Sequence, residues 1–264
     1  MNIYFRELKA HRISLIIWCI CMVLLVVAGM GKYSATIGAG AADLDGLMTS
    51  LPKSLQNLFG VGIFDLSKAV DYFGCLFPYV ALLATIHAVM LGASIISKEE
   101  QDKTAEFLMT KPVSRGHIIT SKLLSALTMV LFFNIVTLSS TMGVMSHYAK
   151  GPYAASILKL MVGMFAMQLI FLSIGALFAG LMKNSKRASA AASGLLLVTF
   201  MISAMIDMTD KIDFLRFITP FKYYASTEIL KGGYSAVYPV LSVIIVVVAI
   251  WGSYHFYERR DLNI

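Results

Sequence analysis

The chain has 264 residues, of which 58% are apolar and only 14% charged, and it carries a net charge of +7. Soluble domains are about 45–50% apolar and about 25% charged, so this composition excludes an ordinary water-soluble globule. The positive balance suits contact with anionic lipid, and nothing in the sequence calls for nucleic acid.

Six windows are free of Asp, Glu, Lys and Arg: 13–31, 72–97, 123–149, 160–182, 188–206 and 232–257. A bilayer core of about 30 Å takes about 20 residues of helix. Backbone polar groups have no water to bond in lipid, and the windows lack strand-like alternation, so helices satisfy them best. The expectation is an all-α, polytopic membrane protein with six transmembrane helices in one domain, 1–264. The spans are placed at about 13–31, 72–97, 123–146, 158–182, 188–207 and 235–257.

In chain order, Ile3, Tyr4 and Phe5 stand beside Arg6, Lys9 and Arg12, a pattern for a short helix in the headgroup layer or for a plain charged leader. The first charge-free run exceeds the roughly 7–15 residues of a signal-peptide core, so it is read as a retained anchor. Cys19, Cys21 and Cys75 lie in or near apolar windows with no metal-ligand spacing and read as packing residues. Segment 32–71 contains LPKSLQNLFG, with Leu51, Leu55, Leu58 and Phe59 at helical spacing. An outer helical segment at about 41–70 is expected there, containing a small amphipathic helix that starts near Ser50 and Pro52 and is ended by Gly60.

Segment 98–122 mixes nine charges with a short apolar patch. On a helix Thr104, Phe107, Leu108 and Lys111 share one stripe, while Glu99, Asp102, Lys103 and Glu106 fall on the other face until Pro112 stops it. Periodicity alone fits either a short helix with one adhesive face or a solvated connector.

The polar residues inside the windows include His87, Asn134 and Gln168. They are candidates for a translocation path, although the simpler role for each is an interhelical hydrogen bond. Gly163, Gly175 and Gly180, and the small residues of Ala188–Gly194, read as close helix packing. Downstream come Pro220-Phe221-Lys222-Tyr223-Tyr224, Gly232-Gly233-Tyr234 and Tyr238, whose tyrosines are expected at the membrane interface.

With both termini on one side, the segments 1–12, 98–122, 183–187 and 258–264 hold 13 Lys/Arg. The longer opposite segments hold 9. The positive-inside rule therefore puts both termini in the cytoplasm.

Gly31-Lys32 lacks both the upstream glycine and the following Ser/Thr of a phosphate-binding loop, and neither His-Glu-x-x-His nor Gly-x-Ser-x-Gly occurs. The chain is therefore expected not to be an ATPase or a hydrolase of those kinds, and to bind no cofactor or metal itself. Absence of acids within the windows disfavours proton or sodium coupling.

Residues Ser97–Leu124 resemble the loop between the second and third spans in permeases of type-2 (ABC-2) exporters. The acidic pair Glu99-Glu100 is followed by Thr104-Ala105-Glu106, then Phe107-Leu108, then Pro112-Val113-Ser114-Arg115. Lys103 stands where that family has glycine, and Phe107 where it has leucine. LPKSLQNLFG, Pro220–Tyr224 and the terminal Phe256-Tyr257-Glu258-Arg259-Arg260-Asp261-Leu262 follow the family order.

The resemblance implies a coupling helix at about 98–112 that docks on a separate cytoplasmic ABC ATP-binding subunit through Glu99, Glu100, Lys103, Thr104, Phe107, Leu108, Pro112 and Arg115. It further implies two such ATPases, which would use the ATP and Mg, and a second permease chain, identical or homologous, in a bacterial cell membrane. The function expected is export of a hydrophobic or amphipathic compound: an antimicrobial peptide, a drug or a lipid-like molecule. The rival functions are a membrane scaffold or sensor for a cytoplasmic partner and a stand-alone secondary carrier.

Overall fold

A computed structural model of the chain describes residues 3–38, 64–101, 114–149, 151–182 and 184–259. Among these residues the fold is helical throughout, with six helices long and apolar enough to cross a membrane. They are α1 (Ile3–Gly38), α2 (Ala69–Gln101), α3 (Arg115–Tyr148), α4 (Ala154–Leu181), α5 (Ser185–Met208) and, after the short helices α6 (Pro220–Tyr223) and α7 (Ser226–Lys231), α8 (Val237–Glu258). A 3-10 segment, Asp210–Ile218, links α5 to α6. The chain is a multi-pass, all-α membrane protein.

Burial ranks the helices. The apolar stretches of α2 and α4 are 67% buried within the chain, against 17% for α1 and 28% for α5 and α8. So α2 and α4 form the centre, and α1, α5 and α8 turn broad apolar faces outward. Ile13, Ile16, Ile17 and Ile20 on α1, and Val243, Val247 and Trp251 on α8, are exposed. In water such faces would be a liability; in a bilayer they are solvated by hydrocarbon.

The α2–α4 contact is the largest between any two helices, and glycine makes it so. A Cβ on Gly92 would collide with the Leu172 carbonyl, and one on Gly175 with the Val89 carbonyl. Each glycine thus receives the other helix's backbone, flanked by fully buried Ala88, Ala93, Ala176 and Ala179. Between α4 and α8, Gly180 faces the Ser253 backbone, 3.1 Å from where a Cβ would sit. Lipid tails are as apolar as leucine, so close backbone approach and dispersion supply what the hydrophobic effect cannot. The packing expected of Gly163, Gly175 and Gly180 is found, but Gly194 faces open space.

Pro78 sits inside α2 and cannot donate to the carbonyl one turn before it, that of Gly74. Ser226, at the start of α7, donates its hydroxyl to that carbonyl at 2.7 Å. The orphan left by the proline therefore becomes the anchor for the segment between α5 and α8.

Two ends of the bundle can now be distinguished. The terminal end gathers the start of α1, the end of α2, the start of α3 and the end of α8: Ile3 packs on Ile118, Tyr4 hydrogen-bonds Thr128 at 3.0 Å, and Thr120 hydrogen-bonds Tyr254 at 2.8 Å. The opposite, hairpin end carries the 3-10 segment, α6 and α7. There Tyr33 donates to the Ser67 carbonyl at 2.6 Å and Tyr234 to that of Lys159.

Two expectations are corrected. Residues from Ile3 form one continuous helix with the first span, because Ile3 and Glu7 are buried against the bundle and do not lie apart in a headgroup layer. Tyr223 and Tyr224 are core residues, 3% exposed each, because α6 dips into the bundle and its Phe221 meets Phe171 and Phe200 at 5.4 and 5.2 Å. Tyr223 stacks on Tyr238 at 5.1 Å. The helix expected around residues 51–60 lies outside the described residues.

Candidate functional site

The segment singled out in the sequence joins α2 to α3 at the terminal end. Helix α2 runs on through Glu99 and Glu100 to Gln101. Lys103, Thr104, Phe107, Leu108 and Pro112 lie outside the described residues, and chain description resumes at Ser114. Ser114 caps α3: its backbone is extended and its hydroxyl accepts the His117 amide at 3.3 Å, the usual device for an orphan amide at a helix start. Arg115 donates to the Glu258 carbonyl at 3.1 Å, tying the loop's exit to the end of α8.

One turn deeper, Lys122 is only 1% exposed and donates its ammonium to the carbonyls of Ile95 and Ile96 at 2.7 and 3.3 Å. A buried ammonium is costly unless its protons are hydrogen-bonded, so this contact fixes α3 against α2 just behind the loop. Across the bundle Glu7, 2% exposed, is paired with Arg6 at 2.9 Å and approached by His11 at 4.0 Å.

The three polar residues named as candidates for a path fall in two places. Asn134 donates to the Gln168 side-chain carbonyl at 2.6 Å, both buried, and this bond bridges α3 and α4. His87 stacks on Phe133 at 4.8 Å and meets Trp18 at 5.5 Å. It lines a separate void of about 120 Å³ with His11, Ser14, Trp18 and Ser94. Consecutive helical residues point about 100° apart, so Phe133 faces His87 while Asn134 faces Gln168.

At the hairpin end the structure gathers residues that sequence reasoning had not assigned to a site. Lys222, buried in α6, donates to Asp207 at the end of α5. Arg216 reaches Asp213 at 3.2 Å and Glu228 at 3.1 Å. Burial lowers the proton affinity of Arg216, but Glu228, the Tyr238 hydroxyl and Asp213 outweigh it and raise the guanidinium pKa above its usual value. Burial, with Tyr238 alongside, pushes the Tyr223 hydroxyl up to about 12, and burial does the same for Tyr234. All remain neutral phenols and cationic arginine across the physiological range.

Behind the Lys222–Asp207 pair is an apolar cavity of about 220 Å³ between α2, α4, α5 and α6. On the other side of the pair lies a wider charged bowl of about 710 Å³. The signal available in the sequence was weak: Asp207 and Lys222 are ordinary boundary charges until α6 folds back beneath α5.

Nucleophile–base pairs and phosphate cradles are not what this geometry offers among the described residues. It offers two helices, α2 and α3, joined at the terminal end and bound to each other by Lys122, a glycine seam, and an apolar cavity beside a charged bowl. Comparison with protein families gives the same direction. The family described as ABC-2 family transporter protein matches residues 1–262. This chain belongs to that family. No curated protein sequence matches it. An ABC-2 permease is the membrane-spanning part of an ABC transporter, and the family works with an ABC ATP-binding subunit. As a permease of this kind, the chain presents at its terminal end the α2–α3 segment that the resemblance identified.

Proposed function

We propose that this permease couples ATP hydrolysis by two separate cytoplasmic ATP-binding subunits to export of a hydrophobic or amphipathic compound, paired with a second permease chain. In this reading both termini are cytoplasmic, and residues 98–112 form the coupling helix. Phe107 and Leu108 anchor in a groove of the ATPase, while Glu99, Glu100, Lys103, Thr104 and Arg115 set orientation at its rim. Pro112 ends the helix so that α3 can begin.

The observation that carries the reading is the Lys122 contact on Ile95 and Ile96. It makes the two helices that flank the loop move as one body. The Gly92–Gly175 seam then passes that movement from α2 to α4. When ATP closes the ATPase dimer, displacement of the loop is transmitted along α2 to the hairpin end, where α7 hangs from α2 through Ser226. The chain thereby transmits work done on the partner and makes no nucleotide contact.

The test is purification of the tagged permease from its native membrane, with assay of a co-purifying soluble subunit and its vanadate-sensitive ATP hydrolysis. Wild type retains that subunit; Phe107→Asp loses it. Retention of the subunit by a folded Phe107→Asp variant contradicts the coupling role.

A further inference from the structure

We propose that the hairpin end holds a zwitterionic, single-chain phospholipid, with its hydrocarbon tail in the apolar cavity and its head in the charged bowl. The cavity of about 220 Å³ is walled by Phe77, Ala81, Met167, Phe200, Ala204 and Phe221. An engineered apolar cavity of about 150 Å³ admits benzene, so this one takes a hydrocarbon segment larger than a single ring. The residues Phe200, Ala204 and Asp207 recur along one face of α5, so the cavity follows that helix for about 10 Å at 1.5 Å per residue.

Its mouth lies between α2 and α5. Tyr79 lines it and is 49% exposed, and Met201 and Met205 beside it on α5 are exposed too. Those side chains lie on the outward surface of the chain. The walls are mostly apolar, so a peptide would have to bring unsatisfied amides and carbonyls while a lipid tail brings none. This favours lipid over peptide as the occupant.

The bowl on the far side of the Lys222–Asp207 pair contains three carboxylates (Asp207, Asp213, Glu228) and three cations (Arg216, Lys222, Lys231). Its net charge is zero, which discriminates against strongly anionic and strongly cationic heads. Among the described residues Lys231 at the rim has no carboxylate partner, and Asp213 is 57% exposed at its side chain. A head with a phosphate and a quaternary ammonium meets both demands while Arg216 keeps its own pairs: the phosphate takes Lys231, and the ammonium, which has no N–H to donate, rests by charge alone against the exposed face of Asp213. The site does not depend on the coupling reading, since binding is read on the permease alone.

The experiment is native mass spectrometry of the purified full-length permease titrated with lysophosphatidylcholine, and in parallel with lysophosphatidylglycerol and a cationic amphipathic peptide. The result expected is one lysophosphatidylcholine per chain, bound more tightly than either competitor. Ala204→Phe, which fills the cavity and leaves every charge in place, weakens binding at least about tenfold. Lys231→Ala, an exposed change that folds normally, weakens lysophosphatidylcholine several-fold but leaves a headless fatty alcohol unaffected. Equal affinity of wild type and folded Ala204→Phe overturns the proposal. Should Ala204→Phe not fold, an unchanged affinity in Lys231→Ala overturns it, as does tighter binding of the peptide or no lipid bound by wild type.

Discussion

At the terminal end of the bundle Lys122 and Arg115 are bound by backbone carbonyls of neighbouring helices; at the hairpin end charge is paired between side chains of separate elements. Lys122 gives its protons to backbone carbonyls of α2, and Arg115 gives one to the last turn of α8. These bonds fasten helix to helix. At the other end Lys222 meets Asp207, and Arg216 meets Asp213 and Glu228. Those pairs link α5, the 3-10 segment, α6 and α7 around open space. One end fastens helices to one another; the other surrounds an open, charged bowl.

The seam between the ends supplies the largest expected effect. Gly175→Leu drives a side chain into the Val89 carbonyl, and overpacking against backbone costs about 3 kcal/mol or more. Loss of monodispersity and a lowered midpoint in thermal unfolding are the outcomes; a variant as stable as wild type would break the description of α2 and α4 as one unit.

Next comes Lys122→Met, which keeps the stem's volume and removes the ammonium. Hydrogen bonds from charged groups contribute about 1.5–3 kcal/mol, so this variant unfolds earlier and hydrolyses ATP with its partner subunit without the link to transport. Transport equal to wild type in proteoliposomes would show that the terminal end needs no such fastening.

At the hairpin end, Ser226→Ala leaves the Gly74 carbonyl, freed by Pro78, without its donor. A loss of about 1–2 kcal/mol is expected. Restoring an amide in the double variant with Pro78→Ala recovers much of it, and a failure of that rescue would mean the carbonyl was not the cause.

The smallest effect sharpens the same contrast. Asp65, in the turn before α2, accepts from Ser67 and pairs with Lys68 at 3.2 Å. The Ser67 hydrogen bonds and Lys68 hold its carboxyl below the ordinary 3.8. A lowered folded pKa adds stability that is present above the ordinary value and is lost as pH falls through the folded one. Acid unfolding below pH 3.8 should therefore be slightly shallower in Asp65→Asn than in wild type; identical profiles would remove Asp65 from the account.

Much of this was legible in the sequence. Charge-free runs longer than a bilayer core, with no strand alternation, leave helices as the satisfactory backbone structure, and six followed. The order of Glu99-Glu100, Phe107-Leu108 and Pro112–Arg115 carried the family. The charge pattern of 98–122 does not set Lys122 apart, though Ser125, Ala126 and Met129 on its face of α3 form a buried stripe with it. That stripe was the available signal. The cavity had none, since its walls come from four elements far apart in sequence and Phe221 turns inward only because α6 folds back on Phe171 and Phe200. His87, Asn134 and Gln168 looked alike as polar residues in apolar windows. Only the rotation of α3 sends Phe133 to one and Asn134 to another.

The central claim is that movement at the terminal loop reaches the hairpin end. It is tested by spin labels at Tyr79→Cys and Met205→Cys, across the cavity mouth, in a permease whose Cys19, Cys21 and Cys75 are replaced by serine. Distances are measured by pulsed electron resonance in the complex purified with its ATPase, with and without ATP and vanadate. The account predicts a shifted distance distribution on nucleotide trapping, absent when Phe107→Asp is also present. An unchanged distribution in a complex that is hydrolysing ATP would contradict it.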